Sequence, residues 1–273
     1  SYIDTKVVHY VYFLVLWSAL YFAWRVASGE LQTTGAVPLV KHYIYFLIHP
    51  MAALWFIQTL AAFFVVTRLL RKVPTVALVA LAAVGMLSRF HTGFSPVDNF
   101  LEYYVFFVIG ARLAEPLFHW ADAAGRQPRL ALAGFGVWVL LNLWVTGQGW
   151  NKVQGVDLPW SMVCILAVIA LSRLLSDSKT PVVQALRYLG RNSIVVYLGF
   201  YLPLLLAFEL LGTGVKTWQA DVLGLLLVVV GVGSALLLHE ATRRNALRFL
   251  FDRPAWARLV SGRSGAAVAR GEA

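Results

Sequence analysis

His49-Pro-Met-Ala-Ala-Leu-Trp-Phe-Ile-Gln-Thr-Leu60 opens an apolar run, Met51 to Thr67, and how this stretch is read decides the fold. It joins an imidazole, a proline, an indole and an amide to a long hydrocarbon-compatible segment. In a bilayer each of those polar groups needs a partner. Pro50 suits the first turn of a helix, where its missing N–H costs nothing. Trp55 and Gln58 are three apart and share a face, with Thr59 beside Gln58. One reading is a helix end at the membrane surface with Trp55 as its interfacial anchor. The other makes these polar groups part of a site.

The rest of the chain agrees with a membrane setting. Its 273 residues are 60% hydrophobic and only 13% charged, with a mean hydropathy of +0.72. Soluble domains carry about 25% charged residues, so the chain is read as an integral membrane protein. The single cysteine, Cys164, lies in an apolar run, excludes an intrachain disulfide and reads as a small core residue. The net charge of +10 would suggest nucleic acid in a soluble protein. Here the basic residues sit in short loops between apolar runs, which is a topology signal, and nucleic acid is not expected as a partner.

A spanning helix needs about 20 mostly apolar residues. Eight candidate runs are found: Val7–Ala27, Tyr43–Thr67, Pro74–Ser88, Asn99–Phe118, Leu130–Val145, Leu158–Leu175, Ser193–Leu211 and Ala220–His239. The second is long enough to hold a broken piece before Pro50. The fourth carries Glu102, Arg112 and Glu115. Pro203 should kink the seventh. Of the 23 lysines and arginines, only Arg25, Lys41, Arg89, Lys152 and Lys216 fall on one side of this alternation. The positive-inside rule then puts both termini in the cytoplasm. The fold expected is an all-α, polytopic transmembrane helix bundle over residues 1–241. A basic cytoplasmic tail, 242–273, is expected to form a surface helix and then a disordered end. No basic n-region or cleavage site precedes the first run, so no signal peptide is expected. A start at Ser1 is read as processing or as a fragment.

Ionisable residues at the mouths of membrane helices are functional hypotheses. The short connection after the third run holds Arg89, His91, Asp98, Glu102 and Tyr103. Asp98 can cap the next helix, and Glu102 can pair with Arg89 or His91. One reading is a solvated loop with a helix cap; the other is a polar cavity, with Lys41 and His49 on the same side. His9 could carry a proton, though a lone imidazole facing a neighbouring helix is commoner. His119 and His239 lie at helix ends, and His42 in a loop. No His/Cys spacing suits a metal, and there is no nucleophile elbow or phosphate-cradling glycine loop. Leu189-Gly-Arg-Asn-Ser-Ile-Val-Val-Tyr197 reads as a cytoplasmic helix start with Asn192 or Ser193 as cap.

Three segments in this order resemble the acyltransferase 3 family of bacterial inner-membrane proteins. Leu54-Trp-Phe-Ile-Gln-Thr-Leu60 resembles the family's Leu-Trp-Phe-Leu helix opening. Phe100-Leu-Glu-Tyr-Tyr-Val-Phe-Phe-Val-Ile-Gly110 resembles its aromatic helix ending in Phe-x-x-Gly. Leu189 to Tyr197 resembles its late Leu-Gly-(Lys/Arg)-Asn-Ser segment. The resemblance spans about Tyr10 to His239. It implies transfer of an acyl group, often acetyl from acetyl-CoA, to a hydroxyl of a glycan or other envelope acceptor. It also implies about ten helices and a catalytic histidine in the first. That first-helix motif is missing before Val7, and only Thr5-Lys6 stands where the next basic motif belongs. The chain is therefore expected to lack two N-terminal helices, and no catalytic base is carried onto any residue.

The function expected is a membrane-bound acyltransferase of the bacterial inner membrane, with acyl-CoA as donor and no metal. His49, Trp55, Gln58, Arg89, His91, Glu102 and Asn192 are its candidate substrate-binding residues, and the lipid bilayer and an envelope hydroxyl acceptor are its partners. The alternatives are a transporter or flippase of an envelope intermediate, which polar helix ends and a kinked helix also serve, and an inactive remnant. The absence of an inverted repeat counts against transport.

Overall fold

The computed structural model describes residues 2–31, 35–51, 53–211 and 217–259, the side chains of 208–211 and 217–221 excepted. Among these residues there is no strand. A π-helical turn, Asp4–Val8, leads into α1 (His9–Ala27). Then come α2 (Ala36–Ile48), α3 (Leu54–Leu69), α4 (Thr75–Leu87), α5 (Ser95–Arg112), α6 (Ala114–Arg126) and α7 (Pro128–Gly147). They are followed by α8 (Asp157–Leu175), α9 (Pro181–Arg191), α10 (Ser193–Gly199), α11 (Tyr201–Leu211) and α12 (Thr217–Thr242).

Four helical stretches among the described residues are long and apolar enough to cross a membrane: Asp4–Ala27, Pro128–Gly147, Asp157–Leu175 and Val222–Thr242. α2, α3 and α4 are apolar but shorter. Three of the expected runs are broken. The second splits at His49–Pro50 into α2 and α3. The fourth breaks at Leu113 and the seventh at Phe200. Each of the last two breaks lies three residues before a proline, Pro116 and Pro203. A proline cannot donate to the carbonyl four residues back, and its ring collides with that carbonyl. Continuing the helix through Arg112 or Gly199 therefore fails, and a new helix starts with the proline in its first turn.

The chain divides into two compact units, residues 1–65 with 191–273, and residues 66–190. In the first, α1 supplies a stripe of Phe13, Trp17 and Tyr21, spaced four apart and almost wholly buried. Leu54 and Ile57 of α3, Val195 and Leu198 of α10, and Phe251 complete this core. α10 and α12 approach closely at Gly199, where a Cβ would meet the Ala235 Cβ at 3.0 Å. The Tyr21 hydroxyl donates to the Leu198 carbonyl at 2.7 Å, next to the break before Pro203.

Where a surface helix is expected after Thr242, the described residues form two 3-10 turns, Ala246–Leu250 and Ala255–Ala257, folded back on α1. Tyr12 Oη donates to the Phe249 carbonyl at 2.9 Å, and Trp17 Nε1 to the Leu250 carbonyl at 3.0 Å. Arg253 pairs with Asp4 at 3.0 Å, both side chains being less than a tenth exposed. The Leu259 amide also donates to the Asp4 carboxylate, at 2.9 Å. The expected disordered end, 260–273, lies outside the described residues.

In the second unit α4 packs along α5, and α6 and α7 pack on α8. Leu78 and Ala82 of α4 and Val105 and Val108 of α5 are buried. Thr67 Oγ1 and Tyr104 Oη lie 3.0 Å apart. Asn142 of α7 accepts from Trp160 Nε1 of α8 at 3.3 Å, and Cys164 is half-buried against the same oxygen. Such polar contacts hold helices together where lipid gives no hydrophobic drive. Leu132, Val137, Leu140 and Val168 face outward, as lipid-facing positions on a spanning helix should.

Candidate functional site

The candidate residues fall in both units. In the first, His49 caps the C-terminus of α2, its amide bonded to the Tyr45 carbonyl at 2.7 Å and its ring 4.7 Å from the Tyr45 ring. Gln58 donates its side-chain amide to the carbonyls of Leu47 and Ile48, at 2.9 and 3.1 Å. Those carbonyls belong to the last turn of α2, which has no helical partner for them. Gln58 thus closes the break before α3. Trp55 is half-buried, and its carbonyl accepts from Thr59 Oγ1 at 2.8 Å. Asn192 occupies the N-cap position of α10 but its side chain makes no cap bond. The Phe56 and Tyr197 rings meet at 5.9 Å, so the first and third resembling segments pack together here.

In the second unit, the connection from α4 to α5 builds a small polar pocket of about 240 Å³, lined by Arg89, His91, Asp98, Glu102 and Asp157. This lies just below the roughly 300–1,000 Å³ common for ligand sites. α4 ends at Ser88, whose hydroxyl donates to the Gly85 carbonyl at 2.9 Å. Arg89 then takes φ = 47°, a left-handed conformation that among the described residues no other non-glycine adopts. Its guanidinium donates to the Lys152 carbonyl at 2.7 Å and pairs with Asp157 at 3.1 Å. The expected partner, Glu102, lines the pocket without pairing Arg89 and lies against Tyr103.

His91 Nδ1 lies 2.6 Å from the Arg89 carbonyl oxygen. A carbonyl only accepts, so Nδ1 carries the proton. In the neutral ring Nε2 is then an acceptor. Asp98 does not cap α5, whose N-cap is Phe94. It reaches back and accepts from the Thr92 amide and hydroxyl, both at 2.7 Å. The backbone bond from Thr92, then its hydroxyl, hold the Asp98 carboxyl below the usual carboxylate range.

Asp157 was not among the sequence candidates. Its one signal there is an acidic residue at a helix start, on the side assigned to Arg89; the pairing crosses 68 residues. A larger cleft of about 1060 Å³ lies beside Asp4, Thr5, His9 and Trp256. Two of its arginines, Arg248 and Arg253, are already paired, with Asp252 and Asp4. No grouping of His, Cys, Asp and Glu suited to a metal occurs among the described residues.

No curated protein and no solved structure matches the chain. A protein-family model, described as an acyltransferase domain, matches residues 1–238, nearly the whole of the described chain. With that match over an all-helical frame that carries several membrane-length helices, the chain belongs to the acyltransferase 3 family of membrane acyltransferases.

Proposed function

We propose that the protein transfers an acyl group, acetyl in the first instance, from acyl-CoA to a hydroxyl of a glycan or other envelope acceptor. It works in the bacterial inner membrane, with eight spans and both termini cytoplasmic. The His91–Arg89 contact carries the proposal for the acceptor side. With Nδ1 committed to the Arg89 carbonyl, Nε2 is left as the ring's acceptor and serves as the base for an incoming hydroxyl. The hydroxyl oxygen attacks the thioester carbonyl as its proton passes to Nε2. The new C–O bond forms, the C–S bond breaks, and the imidazolium returns the proton to the departing CoA thiolate. Glu102 is placed to accept a further acceptor hydroxyl, and Arg89 and Asp157 position His91. His49 and Gln58 support the junction of α2 and α3 in the first unit.

Membranes carrying the protein, supplied with labelled acetyl-CoA, test this. His91→Ala should abolish label on the glycan while expression is unchanged, a loss in the 10²–10⁴-fold range, roughly that of a general base. Retained transfer removes His91 from the role. Accumulation of acceptor in vesicles with no covalent change would replace transfer by transport.

A further inference from the structure

Within the second unit, α6, α7 and α8 border a laterally open cavity of about 540 Å³ that neither the acceptor pocket nor the family resemblance accounts for. Ala131 and Gly134 of α7 and Ala167 and Ala170 of α8 open it, because none of them carries a side chain large enough to fill the space. Phe135 and Leu166 line it as well, and Gln127 is the one amide on its wall. The cavity lies between two helices of membrane-spanning length, so its surroundings are hydrocarbon. Apolar walls of this kind do not hold water. Its volume falls inside the roughly 300–1,000 Å³ range of small-molecule sites.

The end of the cavity at the α6–α7 turn has a charge signature. Arg126 and Arg129 flank Gln127 in the chain, and both are exposed. Among the described residues neither meets a carboxylate or any other polar partner. Arg173 nearby differs, being paired with Asp122 at 3.4 Å and with Asp177 at 3.2 Å. Two unpaired guanidinium groups beside an apolar cavity fit a ligand with a phosphate at one end and hydrocarbon at the other. In the orientation proposed above this is the cytoplasmic end, where polybasic segments meet anionic lipid.

We propose that this cavity holds an acyl chain of one anionic phospholipid, with its phosphate against Arg126 and Arg129. The site is structural to the second unit and separate from acyl transfer. The bound chain fills the space that Ala131, Gly134, Ala167 and Ala170 leave among the three helices.

Native mass spectrometry of the full chain in detergent tests it, with phosphatidylglycerol or phosphatidylcholine of the same chains added. One phosphatidylglycerol should stay bound after the detergent is stripped, at least about tenfold more often than phosphatidylcholine. A Cβ at Gly134 meets nothing within 4 Å, so Gly134→Leu should fold, fill the cavity and lose the lipid. Ala167→Leu fills it from α8 and decides the matter if Gly134→Leu fails to purify. Arg126→Gln with Arg129→Gln should keep chain binding and equalise the two lipids. Equal lipid retention by the wild type and either cavity-filling variant overturns the proposal. So does a headgroup preference that survives loss of both arginines, and so does co-purification of an isoprenoid phosphate in place of the phospholipid.

Discussion

At Arg89 one residue does three things. Its backbone takes a left-handed conformation that costs on the order of 1–3 kcal/mol in a non-glycine residue. Its carbonyl fixes the His91 tautomer, and its guanidinium ties the turn to Asp157 at the start of α8. If Asp157 positions this turn, Asp157→Ala should lower kcat/KM for transfer by about tenfold, the effect of a loosened base. Asp157→Glu should restore most of it. The ¹⁵N shifts of the His91 ring should move toward a mixture of tautomers in the alanine variant alone. Asp98 makes a separate prediction. Its folded carboxyl titrates below the unfolded one, so the Thr92–Asp98 turn is fully stabilised above the usual carboxylate range and loses that contribution as pH falls through the folded value. The protection of the Thr92 amide, its exchange corrected for the intrinsic pH dependence, should therefore fall at acid pH in the wild type and stay constant there in Asp98→Asn.

Among the helices, prolines decide where continuity ends. The break before Pro50 and the disturbance at Pro203 are both legible in the sequence, because a proline inside an apolar run is conspicuous. Pro116 gave no such warning: Glu115 and Arg112 beside it suggest an untidy helix more than a broken one. The partners that repair these breaks were not legible, since they come from elsewhere in the chain. Gln58 reads as a cavity amide in sequence, yet its two hydrogen bonds go to the end of α2. Gln58→Leu should leave two carbonyls there unsatisfied and cost about 1–3 kcal/mol, seen as a lower unfolding midpoint with transfer kinetics unchanged. Tyr21→Phe should behave likewise through the Leu198 carbonyl.

For the molecule as a whole, composition alone identifies the class. An apolar fraction this high with so few charges leaves a membrane bundle as the one consistent architecture. Lengths and charge alternation order the helices and suggest their orientation. Cysteine labelling of a Cys164→Ser background checks that orientation: a thiol at Ser178 should label from the cytoplasm and one at Gln154 from outside. The division into two units was not visible, because no linker or change of composition marks Val66 or Gly190. The candidate site was half visible. Arg89, His91 and Glu102 share one short connection and could be grouped by eye; Asp157 joins them only through the fold.

The clasp between Asp4 and residues 253–259 has a consequence for biogenesis. The partners of Asp4, Tyr12 and Trp17 are translated more than 200 residues after them. During synthesis α1 must wait in the translocon or the bilayer with those groups unmet, while residues 66–190 already contain their own neighbours. Domains generally complete in the order in which their contacts emerge. Ribosome-bound chains halted before residue 246 should accordingly show protease protection across the inner segment and none of the native protection at α1. Residues 66–190 would then assemble first, and the contacts of Asp4, Tyr12 and Trp17 with residues 249–259 would form last.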